Sequence, residues 1–588
     1  MLLFDLETDG LLDDVTTVWC AVTYDTRTDI FERYTPADIQ NFLVRLNNEE
    51  EGICGHNIIG YDLPVLRKLY GFEPKCTVRD TLVWARLSWS DIKQSDFTRV
   101  AKGTLPAKLI GSHSLKSWGY RLGELKGDYG ETTENAWSAY SDSMLDYCRR
   151  DVVVTKLLYE KLCDKNTSLE AVVLEHEVAT IIQQQQEKGF LFDIKSAESL
   201  YCTLIQRREE LKKELLEVFK PWYVKVKEFV PRKDNKKLGY RSNSPLTLIE
   251  LTEFNPSSRQ HIAYHLKKRY QWEPQEFTEK GEAKIDESVL SKMEIPEAKL
   301  LSEYFLTEKR IGQLAEGDQA WLKKVKQDNR IHGGVITNGA VTGRMTHNNP
   351  NLAQVPAVGV PYGKECRSLF TVPRGYKLVG ADASGLELRC LAHYMGRYDG
   401  GKYSEVILKG DIHTVNQLAA GLPTRNQAKT FIYAYLYGAG DEKIGTIVGG
   451  TAKDGAKLKA SFLKKTPALK QLKEDIDLAV KKNGYLKGLD GRVLPIRSSH
   501  AALNTLLQSA GAVVMKKALV ILADYIKGYD ARFVANIHDE WQIEVADKDA
   551  EVVGELAVMA IRNAGEHFKF RCPLDGEYKV GNNWCETH

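Results

Sequence analysis

The sequence predicts a multidomain α/β protein, on three observations. The chain has 588 residues, 43% hydrophobic and 27% charged, which is enough for two to four domains with cores of their own. Short apolar strands occur near both ends and stop at acidic residues, as in LLFDLET, KLVGADAS and ARFVANIHDEWQIEV. Between them run long stretches with apolar residues at helical spacing, such as SLEAVVLEHEVATIIQQQQEKGF and AESLYCTLIQRREELKKELLEVF.

Composition narrows the function. With 81 basic and 79 acidic residues the net charge is +2, so the chain is no histone-like polycation and any nucleic-acid surface is local. Ten cysteines without a CxxC or other metal spacing argue for a reducing compartment and against a disulfide framework or zinc site. The N-terminus meets an acid after four residues, too soon for a signal peptide. The most apolar run, AGAVVMKKALVILA, is interrupted by two lysines, so no membrane span is expected and the protein reads as soluble and intracellular.

In chain order, the first strand ends in Asp5 and Glu7, and alternation puts both carboxylates on one face. Two acids converging there are costly unless a cation joins them. GHNIIGYDLPVL then supplies Asn57, Tyr61 and Asp62, and MLDYCRRDVVVTKLL supplies Tyr147 and Asp151 one helical turn apart. Four acids in three segments, with a tyrosine hydroxyl to orient water, suit a two-metal nuclease. The ordered trio DxE, Nx3YD and Yx3D resembles the proofreading 3′–5′ exonuclease domain of the DnaQ-like superfamily, whose fold is ribonuclease-H-like. That resemblance implies metal ligation by Asp5, Glu7, Asp62 and Asp151 and water positioning by Tyr147.

The middle is helical, interrupted at 222–253 by a segment with a basic stretch, YVKVKEFVPRKDNKKLGYRS, in which seven lysines and arginines face two acids. It reads either as a solvated loop or as a flexible basic segment over duplex phosphates. A turn-rich stretch from His332 to Pro356 carries Arg344 and Gln354.

In the C-terminal half a strand delivers Asp382, after which Ser384, Glu387 and Arg389 follow as the chain turns toward a helix. The stretch RNQAKTFIYAYLYG places Arg425, Lys429, Tyr433 and Tyr437 every four residues, hence on one helix face running from two cations to two aromatic rings. That order suits a nucleoside triphosphate. ARFVANIHDEWQIEV reads as a β-hairpin whose turn carries His538, Asp539 and Glu540. Asp382 and Asp539 on either side of the cationic helix give a plan for two-metal phosphoryl transfer.

DASGLELR, Rx3Kx3Yx3YG and HDE, in that order behind the exonuclease trio, resemble family A (Pol I type) DNA polymerases. TGRMTH, NLAQVP, GDIHTVNQ, HAALNTLLQSAGA and NNW look most like replicative polymerases of T-odd bacteriophages. The resemblance implies a right-hand polymerase (palm, fingers, thumb) behind the ribonuclease-H-like domain. It implies metal ligation by Asp382, Asp539 and the Ala383 carbonyl, with Glu540 close by. His413, Arg425 and Lys429 would hold the triphosphate, Lys429 as proton donor to pyrophosphate. Tyr433 would pack on the sugar, Tyr437 on the base pair, and Glu387 would exclude a ribose 2′-hydroxyl. Arg344, Asn504 and Gln508 would read minor-groove acceptors, with His538 also placed at the DNA. Tyrosine at 433 goes with ready acceptance of 3′-deoxy terminators in this family.

The implied domains are an exonuclease at 1–165, thumb and start of the polymerase at 166–340, palm at 341–410, fingers and return to palm at 411–520, and palm with the C-terminus at 521–588. The implied cofactor is Mg²⁺, two per site, with Mn²⁺ able to substitute. The implied partners are primer-template DNA, dNTPs, and a phage helicase-primase and single-strand binding protein, in the cytoplasm of an infected bacterium. The best-known phage relative captures a host thioredoxin with a long insertion at the place of 222–253. The insertion here is much shorter, which argues against a thioredoxin partner. With its first motif at residue 5, the sequence leaves no room for a 5′-nuclease domain. The rival readings are a single-subunit RNA polymerase, a DNA-gripping nuclease without synthesis, and a non-catalytic DNA-binding scaffold.

Overall fold

The computed structural model describes residues 1–133, 135–278 and 280–588, and the chain divides into two compact units. The first comprises residues 1–190, 332–354 and 371–588 and contains every acid and cation singled out above, apart from the basic insertion.

Its N-terminal sheet has five strands, β1 (Leu2–Thr8), β2 (Val18–Asp25), β3 (Ile30–Tyr34), β4 (Ile53–Gly55) and β5 (Val78–Asp80), in the order β3-β2-β1-β4-β5. β1 runs antiparallel to β2 and parallel to β4, which is parallel to β5. This is the ribonuclease-H-like arrangement. β1 is central and buried on both faces, which its apolar run LLF requires. Helix α1 (Asp62–Tyr70) follows β4, and α2 (Asp142–Asp164) packs on β1 and β2, started by a hydrogen bond from the Met144 N–H to the Ser141 side chain. Helix α3 (Leu169–Lys188) leads out of this region.

The second sheet of this unit is antiparallel, built from β6 (Tyr376–Ala383), β7 (Ala531–Ile537), β8 (Glu540–Ala546) and β9 (Gly576–Gly581) in the order β7-β8-β6-β9. Helix α4 (Leu386–Asp399) follows β6, α5 (Arg425–Leu436) lies within the helical region after it, α6 (Ala502–Tyr525) precedes β7, and α7 (Ala550–His567) covers β6 and β9. Trp541, at 0% exposure, anchors β8, and removal of a tryptophan so enclosed costs about 3–5 kcal/mol.

α6 is long and apolar enough, by length and composition, to cross a membrane, but it is a core helix packed against α3, α4 and α7, and Lys516 within it is neutralised by buried Glu175 of α3. One expectation is refined in the other unit, residues 191–331 and 355–370. The ends of the basic insertion pair as an antiparallel β-ribbon of Trp222–Phe229 with Leu246–Thr252, and Arg232, Lys233, Lys236, Lys237 and Arg241 lie in the loop that joins the two strands. Val224 and Val226 alternate with Lys225 and Lys227 in the first strand, and Leu248, Ile249 and Leu251 favour the second. Around its base Phe219, Trp222, Phe254, Leu266 and Leu301 form a core of that unit.

Candidate active sites

β6 and β8 pair so that Asp382 stands opposite Glu540, and the Ala383 N–H donates to the Asp539 carbonyl at 3.2 Å. The two aspartates therefore sit at one end of the sheet. Asp382 is open to solvent, yet desolvation by the surrounding protein, then the charges of Asp539 and Glu540, push it up to about 7. Burial and Glu387 raise Asp539 as well. Glu540 departs from its neighbours. Burial alone would raise it, but His588, Gln542 and Trp584 hold it below its usual value. Its Oε1 accepts from Trp584 Nε1 at 2.7 Å and Gln542 Nε2 at 2.6 Å, and its Oε2 lies 2.8 Å from His588 Nδ1. This collar of Trp584, Gln542 and His588 carries no sequence signal beyond the NNW block itself. Nothing local marks it as a partner of HDE.

α5 begins after Thr424, whose hydroxyl accepts from the Gln427 N–H, and it ends at Leu436. Tyr437 is thus its C-cap, just beyond the expected face, and the chain turns at Gly438 with φ +75°. Arg425 is exposed and pairs with Asp411, which also caps the helix carrying His413. Lys429 is exposed. Tyr433 is half-buried, its ring 6.1 Å from that of His413. Burial, then Glu387 and Asp539, raise the Tyr433 phenol, which places this face of α5 toward the carboxylates. Tyr437 donates to Glu387 Oε1 at 3.0 Å, and Arg344 Nη2 lies 3.6 Å from the same oxygen. Asn504 and Gln508 occupy one face of α6, as their spacing requires. His538 takes the left-handed turn position of the hairpin, with φ +59°.

At the N-terminal sheet, Asp5 and Glu7 of β1 converge with Cys148 of α2, and the charges of Asp62 at the start of α1 and Asp151 of α2 act on Asp5; Glu7, Asp62 and Asp151 are buried and Asp5 is half-buried. Burial, then Asp151 and Asp62, hold Asp5 well above the carboxylate range, and Glu7 is raised by burial, Asp5 and Asp151. Asp62 is pushed up to about 7 and Asp151 to about 6, chiefly by burial. Tyr147, one turn before Asp151, is raised to about 12 by burial and by Asp151. Tyr61 lies beside the cluster and donates to the Gly10 carbonyl at 2.6 Å. Asn57 turns the chain with φ +67°. Lys126, which no motif signalled, pairs with Asp151 and stands 4.8 Å from the centre of the Tyr147 ring. Cys148, whose thiol donates to the Asp5 carbonyl at 3.3 Å, closes the cluster from below.

The donor sets fit divalent cations. Asp62 Oδ1 and Asp151 Oδ1 are buried without a hydrogen-bond partner. An all-oxygen set of mutually repelling carboxylates is the ligand chemistry of Mg²⁺ or Mn²⁺. Asp382 and Asp539 repeat that chemistry at the second sheet.

A family model described as DNA polymerase family A matches residues 233–586. The chain is 41% identical over 705 aligned positions to the DNA-directed DNA polymerase of Enterobacteria phage T3 and 40% identical to that of Escherichia phage T7, with 100% of both chains covered in each case. Those alignments run to 705 positions against 588 residues here, so the two relatives carry segments that this chain lacks. It is 25% identical to DNA polymerase I of Aquifex aeolicus over 95% of this chain and 92% of that one. Among solved structures, the polymerase domain of Pol1 from M. smegmatis, in complex with primer-template DNA and dNTP, superposes with a TM-score of 0.76 at 18% identity, covering 99% of this chain and 96% of that one. That likeness carries the fold, a right hand of palm, fingers and thumb.

Proposed function

Because the chain belongs to DNA polymerase family A, we propose that it extends a primer on a DNA template with dNTPs and removes mismatched 3′ ends at a separate exonuclease site. The observation that carries the first half is the meeting of Asp382 and Asp539 at one end of the sheet, with Asp539 and Glu387 close enough to Tyr433 of α5 to raise its phenol. The unpartnered, buried carboxylate oxygens of Asp62 and Asp151 beside Asp5 and Glu7 support the second half.

In this reading residues 1–165 are the exonuclease, 166–340 the thumb and start of the polymerase, 341–410 the palm, 411–520 the fingers and return to the palm, and 521–588 the palm and C-terminus. Asp382, Asp539 and the Ala383 carbonyl hold Mg²⁺ in one site, and Asp5, Glu7, Asp62 and Asp151 hold it in the other. Bound there, the ions supply Lewis-acid charge for phosphoryl transfer, and Mn²⁺ can substitute. Arg425, Lys429 and His413 bind the triphosphate, and Lys429 gives a proton to the leaving pyrophosphate. Tyr433 orients the sugar, Tyr437 the base pair. Glu387, fixed by Tyr437 and Arg344, leaves no room for a 2′-hydroxyl. Asn504, Gln508 and Arg344 check the minor groove, with His538 beside them. Glu540 holds the hairpin through its collar and tunes Asp382 by its charge. Tyr147 orients water at the exonuclease carboxylates, and Lys126 balances their charge. The setting is replication of a phage genome in an infected bacterium, where a helicase-primase and a single-strand binding protein are the expected partners.

The test is primer extension on a 5′-overhang template with Mg²⁺, run with and without dNTPs. Extension with nucleotides and 3′ shortening without them are expected. Shortening in both lanes would leave a nuclease alone.

A further inference from the structure

α3, α6 and the turn after the Tyr485–Lys487 strand meet in a buried ionic group outside both sites. Lys516 Nζ lies 2.5 Å and Arg492 Nη2 2.8 Å from Glu175 Oε1, and Arg492 Nη2 lies 2.6 Å from Asp490 Oδ2. All four side chains are at most 2% exposed, and the two cations and two anions balance. Such a group costs more to bury than an apolar one of the same shape, so stability alone gives no reason for it.

Its contacts reach the N-terminal domain on one side and the Arg344 segment of the polymerase site on the other. On one side, Ser168 donates to the Asp490 carbonyl, and Glu175 lies on α3, directly after the residues that carry the exonuclease carboxylates. Arg492 Nη1 reaches Asn338 Oδ1 at 3.4 Å, and Asn338 Nδ2 donates to the Arg86 carbonyl at 3.1 Å. On the other side, Arg492 fills the space beside Gly343, where a methyl group would stand 2.4 Å from Nη1 and φ is +80°. Gly343 precedes Arg344, which meets Glu387 and, through it, Tyr437. Lys516 lies two turns beyond Gln508 on α6 and lines a narrow crevice with Arg344, His538 and Asp539.

We propose that Arg492 is a positioning residue which, tied to Glu175 and Lys516, sets Arg344 and α6 relative to the exonuclease domain and so fixes how a primer 3′ end divides between the two sites. This rests on the two-site reading above. Arg492→Lys keeps the charge but loses the fork that spans Asp490, Glu175 and Asn338. The double variant Glu175→Leu/Lys516→Met removes the ionic tie to α3 and leaves Arg492 and Asp490 as a balanced pair. In both, a matched primer end is released from the polymerase site more often.

The measurement is the fluorescence of 2-aminopurine at a matched primer terminus, with Ca²⁺ replacing Mg²⁺ so that nothing is cut. Thermal melting, primer extension and single-strand digestion in Mg²⁺ accompany it. The expected result is an increase of about five- to tenfold in the unstacked, exonuclease-bound fraction in both variants, with the rate on single strands at the wild-type value. An unchanged fraction in two folded variants overturns the proposal, as does a parallel loss of both activities, the mark of a structural lesion only. If the wild-type protein digests no single strand, the two-site reading fails first and this inference with it.

Discussion

Tyr437 and Glu387, 50 residues apart in sequence, are joined by a 3.0 Å hydrogen bond from the phenol to Oε1, and that bond closes the side of the α5 face beyond Tyr433. A carboxylate held on one oxygen by both Tyr437 and Arg344 is a fixed wall. Glu387→Ala is expected to raise ribonucleotide use relative to deoxynucleotide by one to two orders of magnitude, about 1.4–2.7 kcal/mol of lost discrimination. Tyr437→Phe, which frees the wall without removing it, should give a smaller change in the same direction. The ratio of kcat/KM values for the two nucleotide types measures both, and an unchanged ratio in the alanine variant would show that Glu387 is no gate.

Asp382 and Asp5 belong to different sheets and separate clusters, so their loss should be separable. Asp382→Ala is expected to lower synthesis by at least about 10³-fold, roughly 4 kcal/mol of barrier, with single-strand digestion unchanged. Asp5→Ala should do the reverse. Rates of extension and of 3′ shortening, each measured on both variants, check it. Synthesis unaffected by loss of Asp382 would remove that residue from the site.

The carboxylates at the N-terminal sheet give a pH dependence of definite sign. Asp62 at about 7 and Asp151 at about 6 lie above the values of an unfolded aspartate, so the metal-free folded state holds protons that the unfolded state has released. Their contribution to stability is present at low pH and is lost as pH rises from about 4 toward 7. In chelator, the melting temperature should therefore fall across that window, and Mg²⁺ should restore more of it at pH 8 than at pH 6, where protons compete for the same oxygens. Calorimetry with and without Mg²⁺ measures the difference, and an Mg²⁺ effect equal at both pH values would contradict it.

What the sequence disclosed and what it hid differ by range of interaction. Asp5 with Glu7, Tyr147 with Asp151, Asn504 with Gln508 and the α5 face are pairs within one element, and strand or helix periodicity writes them into the chain. The hairpin of His538 was legible for the same reason. Lys126 beside Asp151, Arg492 beside Glu175 and His588 beside Glu540 are pairs between elements, and the Lys516–Glu175 pair joins residues 341 positions apart. No periodicity records such contacts. The ribbon at 222–252 is hidden in the sequence for another reason. Its alternation is real, but both faces are exposed, so lysines stand where a half-buried strand would show apolar residues.

That ribbon yields the last expectation. Its tip is held by its own hydrogen bonds, Asn235 and Tyr240 pairing backbone to backbone and the Ser242 N–H donating to Asp234 Oδ1 at 2.6 Å. Lys233, Lys236 and Lys237 stand exposed on it. If the tip lies over duplex phosphates, replacing these three by alanine removes three counterion-releasing contacts. The slope of log affinity against log salt should then become shallower by about 2.7. Between roughly 50 and 200 mM salt the wild-type protein would lose about fortyfold more affinity than the variant. Titration by fluorescence anisotropy across salt concentrations reads the slope directly. A rise in KM for DNA with kcat unchanged should accompany it, since the ribbon would bind substrate and transition state alike. An unchanged slope would place the ribbon away from DNA and leave its exposed Tyr223, Ile249 and Leu251 as a surface for something other than phosphate.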